Sequence, residues 1–275
     1  MNYFDAVVLG IVEGLTEFLP VSSTGHLTIA EKILGLDVAA QDVTGFTAVI
    51  QMGAILAVVV YFARDIWRIA RAWCVGLVRA EYRGSFDHRM GWHVIVGTIP
   101  IGIVGFALKD FITSDLRSLW VVAAGLILWS AVMLYAEKVG RRTRAERDLD
   151  MRDAIGVGLM QCVALVPGVS RSGATISAGL LRGLDRVAAT RLSFFLSIPA
   201  LLAAGLFELK DALAGNISIG ETVVGTVVSF VVAYASVAWL LRFVAHHSIG
   251  KFVPYRVALG LVLIGLLATD VMSAT

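Results

Sequence analysis

The chain predicts an all-α integral membrane protein, with six transmembrane helices and two re-entrant helical hairpins in an inverted-topology repeat. Three observations lead there. Of 275 residues, 58% are hydrophobic and only 16% charged, with a mean hydropathy of +0.82; soluble domains carry roughly 25% charged residues. Six apolar segments, about 46–63, 92–108, 118–136, 192–208, 221–243 and 255–271, reach the roughly 17–25 residues a spanning helix needs. Two more, about 5–35 and 154–182, are interrupted by proline and polar residues in their middles.

The first interrupted segment carries Glu13-Gly-Leu-Thr-Glu17-Phe-Leu-Pro20-Val-Ser22-Ser23-Thr24-Gly25-His26. Glu13 and Glu17 are four residues apart and share one helix face. Pro20 ends that helix, because the residue before a proline is pushed out of the helical region. Ser22, Ser23 and Thr24 are the residue types that cap a new helix start, where unpaired N–H groups and the positive dipole end attract anions. Two acids, an imidazole and an anion cradle point to chemistry on a phosphate or carboxylate.

The second interruption is Pro167-Gly168-Val-Ser170-Arg171-Ser172-Gly173. Ser22-Ser23-Thr24-Gly25 aligns with Ser170-Arg171-Ser172-Gly173 at an offset of 148 residues, which also pairs Glu13 with Gln161 and Phe46 with Phe194. The prolines are one residue out of step. The chain therefore reads as a single membrane domain, 1–275, with half-repeats 1–150 and 151–275, each one broken segment followed by three spans.

Net charge is only +2, so placement matters more than balance. Loop 64–91 carries Arg64, Arg68, Arg71, Arg79, Arg83 and Arg89, and loop 137–153 carries Lys138, Arg141, Arg142, Arg144, Arg147 and Arg152. Two spans separate them, so both fall on the cytoplasmic side under the positive-inside rule. Arg182, Arg186 and Arg191 follow the second break; segment 154–182 must then enter and return on that same side. Counting backward puts the N-terminus and 31–42 outside. Three spans per half is an odd number, so the halves are inverted and the two hairpins enter from opposite faces. Their irregular tips are tolerated at membrane depth only if buried or lining a cavity, which places both in one site.

Charged groups in a membrane segment cost on the order of 2.5–3.5 kcal/mol each, so Glu13, Glu17 and Arg171 need a reason. Either they act on a substrate or they form an ion pair that holds the hairpins together. Cys74 and Cys162 match no metal or redox spacing and read as buried free thiols. The arginines of 141–147 are a topology signal and an anionic-lipid contact, not a nucleic-acid patch.

The two motifs, Glu13 to His26 and Pro167-Gly-Val-Ser170-Arg171-Ser-Gly-Ala-Thr175, resemble the signatures of the bacterial undecaprenyl-diphosphate phosphatases, the bacitracin-resistance family. Length, segment order and Ile50-Gln51-Met-Gly53 are similar too. The resemblance implies removal of the terminal phosphate from undecaprenyl diphosphate, which recycles the lipid carrier of peptidoglycan synthesis and confers bacitracin resistance. It implies a multi-pass protein of the bacterial inner membrane with its site facing the periplasm, and a divalent cation, Mg²⁺ or Ca²⁺. The family's acidic pair falls on Glu13 and Glu17, its first-motif serine and histidine on Ser23 and His26, and its second-motif residues on Ser170, Arg171 and Thr175.

The chemistry agrees. Arg171 and a metal on Glu13 and Glu17 would neutralise a diphosphate, the planar guanidinium matching phosphate oxygens. Ser22, Thr24, Ser170, Ser172 and Thr175 are the expected phosphate-binding hydroxyls. The nucleophile is either Ser23 activated by His26, the preferred reading, or a water held by His26 or a glutamate. Expected partners are the polyprenyl diphosphate, membrane lipids and, as one arrangement open to such a chain, a second copy in a homodimer; nucleic acid is not among them. A secondary transporter or flippase of an anion or lipid phosphate is the alternative, because inverted repeats with broken helices are also a transporter plan. The phosphatidate-phosphatase type is excluded: residues 172–182 hold no His, and Arg-Pro occurs nowhere.

Overall fold

The computed structural model describes residues 1–38, 40–113, 116, 118–212 and 218–274. Among the described residues the secondary structure is helical, with no β-strand. Six helical stretches among the described residues are long and apolar enough to cross a membrane: α3 (Gln41–Tyr61), α5 (Phe86–Ala107), α7 (Leu119–Val139), α10 (Arg186–Ala212), α11 (Ile219–His246) and Ile249–Ala268, a 3-10 turn that runs into α12 (Val253–Ala268). Each overlaps one of the six segments anticipated from hydropathy. The chain is thus a multi-pass membrane protein of the all-α class.

Both interrupted segments are pairs of short helices. α1 (Tyr3–Thr16) and α2 (Ser23–Ile33) flank the first break, α8 (Met151–Val163) and α9 (Arg171–Leu181) the second. Their starts are capped alike. Asn2 accepts from the Asp5 N–H while Asp5 accepts from the Asn2 N–H; Asp150 and Asp153 do the same 148 positions later. Such capping boxes satisfy two donors that a helix start otherwise leaves orphaned. α1 packs on α11, and α8 packs on α5. Glycine permits both contacts: a Cβ at Gly10 would stand 2.6 Å from Gly225 O, and one at Gly158 2.1 Å from Gly97 O. Close approach of small residues is how helices pack where lipid removes the hydrophobic drive between them.

Ion pairs show which ends lie together. Arg191 donates through Nη2 to Asp65 (2.9 Å) and through Nε to Glu146 (2.7 Å), so the two arginine-rich loops meet at one guanidinium. Arg182 Nε donates to Asp153 (2.8 Å), joining the end of α9 to the start of α8. Glu137 accepts from Arg186 and from Ile249 N on the same end. At the other end of α7, Leu119 N donates to Ala274 O (2.9 Å), and Lys32 Nζ reaches Ser273, so α2 ends there. The basic loops share one end of the bundle, as their charge count anticipated.

One stretch departs from expectation. Within the supposed loop 64–91, Ala63–Val78 forms a helix, α4, packed on α5. Ile66, Ile69, Trp73 and Gly76 recur at helical spacing, and Ile69 and Gly76 are buried. Its arginines make it too polar to span yet leave one apolar face to pack.

Candidate active site at the two helix breaks

The residue that precedes the second helix of each pair has a left-handed backbone: φ is 77° at Ser22 and 73° at Ser170. A non-glycine residue rarely adopts this region, and such strain clusters at functional sites. Each serine reaches across to the other break. Ser22 Oγ accepts from Gly168 N at 3.2 Å, while Ser170 Oγ makes a long 3.5 Å contact to Leu19 O and accepts from Gly173 N at 3.2 Å.

Arg256 of α12 ties the two breaks together from behind. It is fully buried. Its Nη1 donates to Pro20 O (2.8 Å), its Nη2 to Gly168 O (2.9 Å) and Val169 O (3.2 Å), and its Nε to Ser130 Oγ (3.1 Å). Breaking a helix frees carbonyls that must find donors when buried, and one planar guanidinium supplies several at once. Sequence reasoning missed this residue. An intramembrane arginine is itself a signal, but Arg256 stood at the edge of its apolar segment, where arginines ordinarily reach the interface.

In front of this clamp the two motifs meet. Glu17 has almost no exposed side chain; one of its oxygens accepts from Arg171 of the opposite break. Its other oxygen accepts from Ser23 Oγ at 2.5 Å. Glu17, Ser22, Ser23, Thr24, Ser170 and Arg171 line a cleft of about 150 Å³, with Gln51 of α3 and an apolar wall that includes Ile101, Leu165 and Leu201. The sequence motifs give Gln51 no role of its own.

The remaining site candidates lie behind or beside the cleft. Ser172 is buried with its hydroxyl 3.1 Å from that of Ser170. Thr175 is fully buried, 2.8 Å from Arg171 O and 2.6 Å from Ser193 Oγ, where it steadies the start of α9. His26 is not bonded to Ser23. Its Nδ1 lies 2.7 Å from Ser22 O, a carbonyl that can only accept, so Nδ1 carries the proton; its Nε2 lies 2.6 Å from the Tyr255 hydroxyl, and the two rings stack at 5.6 Å. Tyr255, another residue unanticipated from sequence, thus occupies the nitrogen that a Ser23–His26 pair would need.

Glu13 is fully buried one turn before Glu17, and neither of its oxygens has a hydrogen-bond partner. No cluster of three or more His, Cys, Asp or Glu exists among the described residues. Two carboxylates, one of them orphaned, fit a hard divalent cation that takes its other oxygens from water and phosphate, as Mg²⁺ commonly does. Gln161, 148 residues further along, is also fully buried and unpartnered but uncharged. Only the first break is acidic.

Known proteins resemble the chain over its whole length. The family described as bacitracin resistance protein BacA matches residues 6–262. The undecaprenyl-diphosphatase of Acidothermus cellulolyticus is 59% identical over 275 residues, covering the whole of both chains. Undecaprenyl-diphosphatase 3 of Frankia casuarinae is 56% identical over 278 residues, and the undecaprenyl-diphosphatase of Cutibacterium acnes 52% over 285, each again over the full length of both chains. With both breaks and every cleft residue inside the matched region, the chain belongs to the bacitracin resistance protein BacA family.

Proposed function

We propose that this protein hydrolyses undecaprenyl diphosphate to undecaprenyl phosphate and inorganic phosphate at the cleft between the two breaks. One observation carries the reading: Arg171 from one break and Ser23 from the other converge on the two oxygens of Glu17, in a chain 59% identical over its full length to an undecaprenyl-diphosphatase.

Arg171 and the N-terminal turns of α2 and α9 receive the diphosphate, the guanidinium exchanging Glu17 for phosphate oxygens. Glu17 then takes the proton of Ser23 as the hydroxyl oxygen attacks the terminal phosphorus. The bond to the bridging oxygen breaks, undecaprenyl phosphate leaves, and the proton follows it. Water next attacks the seryl phosphate, giving its proton to Glu17, which returns it to the departing Ser23 oxygen; inorganic phosphate is released. Glu17 takes the role first expected of His26, which holds the first turn of α2 through Ser22 and Tyr255. A divalent cation, Mg²⁺ or Ca²⁺, would be held by Glu13 and Glu17, and would supply neutralisation of the diphosphate charge.

The two broken pairs are read as re-entrant hairpins of an inverted repeat with halves 1–150 and 151–275. Equivalent capping boxes, equivalent serines and the crossed packing of α1 on α11 and α8 on α5 support this. The arginine-rich end is cytoplasmic by the positive-inside rule. The hairpin bearing Glu13, Glu17 and Ser23 has its outer ends away from that end, which favours substrate access from the periplasm.

The test is release of phosphate from undecaprenyl diphosphate by purified protein in detergent, where no gradient exists. Turnover supports the phosphatase. Binding without turnover, across Mg²⁺ and Ca²⁺ concentrations, returns the carrier reading.

A further inference from the structure

Helix α4 presents a second charged groove at the arginine-rich end of the bundle. One face is committed to α5: Ile69 and Gly76 are buried, and a Cβ on Gly76 would strike the His88 ring. The opposite face is exposed, with Trp67 70% and Val78 84% accessible. That face borders a groove of about 730 Å³ whose walls include Trp67, Arg71, Val75, Val78, Arg79 and Tyr82.

The charges on this groove are unevenly satisfied. Arg68 is held by Asp87 (2.9 Å) and Asp65 (3.2 Å), which uses Asp87, the groove's acidic side chain. Arg83 turns back to Gly76 O and Leu77 O and closes the end of α4. Arg71 and Arg79 are exposed and have no carboxylate within ion-pair distance among the described residues. Two uncommitted guanidiniums therefore flank a wall of Trp, Val and Tyr. A soluble anion would match the guanidiniums and leave the apolar wall wet; an amphiphile matches both.

Position favours the same ligand. α4 begins two residues after α3 and packs on α5, so the groove lies where these spans leave the bilayer. Tryptophan settles at that depth, and basic amphipathic helices lie in that plane. We infer that the α4 groove binds the headgroup of an anionic phospholipid, with Arg71 and Arg79 on its phosphate and Trp67 and Val78 against its upper acyl chains. This site is separate from the catalytic cleft and does not depend on the hydrolytic reading.

Native mass spectrometry of the full-length protein in detergent, titrated with phosphatidylglycerol or phosphatidylcholine, tests it. The wild type should retain phosphatidylglycerol preferentially. The Arg71→Gln/Arg79→Gln double variant should retain it about thirtyfold less, the effect of removing two basic residues from an anionic headgroup, while its turnover in detergent is unchanged. In vesicles, brominated phosphatidylglycerol should quench wild-type fluorescence more than that of Trp67→Phe, which assigns the difference to Trp67. Equal retention by wild type and double variant overturns the inference. So does displacement of the lipid by millimolar inorganic phosphate, which would mark a free-anion site, and so does an unquenched Trp67, which would mark a protein-covered face.

Discussion

Ser22 and Ser170, 148 residues apart, stand at the same point of two broken helix pairs with nearly the same left-handed backbone, φ 77° and 73°. Each sends its hydroxyl to the backbone of the other break. The conformation costs of order 1–3 kcal/mol for a non-glycine residue, and the reciprocal contacts offset part of it. Glycine at either site would relieve the backbone but lose the contact; valine would lose the contact and add β-branched strain. Ser22→Gly and Ser170→Gly should therefore shift the melting temperature in detergent only slightly, and Ser22→Val and Ser170→Val should lower it clearly. Equal shifts for glycine and valine would mean that the backbone is not strained there.

Arg256 should tolerate no replacement. Arg256→Met leaves buried carbonyls of both breaks without a donor, at about 1–3 kcal/mol for each group. Arg256→Lys keeps the charge, but a single ammonium cannot span carbonyls on Pro20, Gly168 and Val169 at once. Both variants should melt earlier and lose turnover together. A lysine variant with full stability would show that charge alone is required.

Ser23→Ala should fall much further than His26→Ala, because Ser23 is bonded to Glu17 and His26 to Ser22 and Tyr255. Tyr255→Phe should act like a mild His26 variant, with a loss of less than about tenfold, or 1.4 kcal/mol. Single-turnover assays that found His26→Ala as inactive as Ser23→Ala would restore the histidine as base.

Glu13→Gln should raise the Mg²⁺ or Ca²⁺ concentration needed for half-maximal turnover, since it removes one of two carboxylates proposed to hold the ion. An unchanged metal titration would leave the buried Glu13 without that role.

Local pattern made much of this architecture legible before any coordinates. Runs of some 20 apolar residues can hardly be anything but spans, and Pro20 and Pro167 with their following serines mark breaks that no other local signal contradicts. Loop arginines put the two basic loops together, where Arg191 joins them. What escaped is what sequence does not encode locally. Nothing near Tyr255 or Arg256 says that α12 will lie behind breaks more than 80 residues away. The choice of Glu17 over His26 as the partner of Ser23 depends on how α2 turns out of the first break, set by one residue's φ. Helix α4 was hidden because its arginine count outweighed a four-residue apolar stripe.

The measurement closest to the centre of this account is phosphate release from undecaprenyl diphosphate by purified Glu17→Gln and Arg171→Ala, alongside a melting curve for each. These two groups meet across the breaks, and a transition-state contact of this kind is worth roughly 3–4 kcal/mol by analogy with a lost oxyanion donor. Both variants should fold and be nearly inactive. A folded variant of either kind that kept more than about a tenth of wild-type turnover, a loss below roughly 1.4 kcal/mol, would make the Glu17–Arg171 pair a structural strut and contradict the assignment of the site.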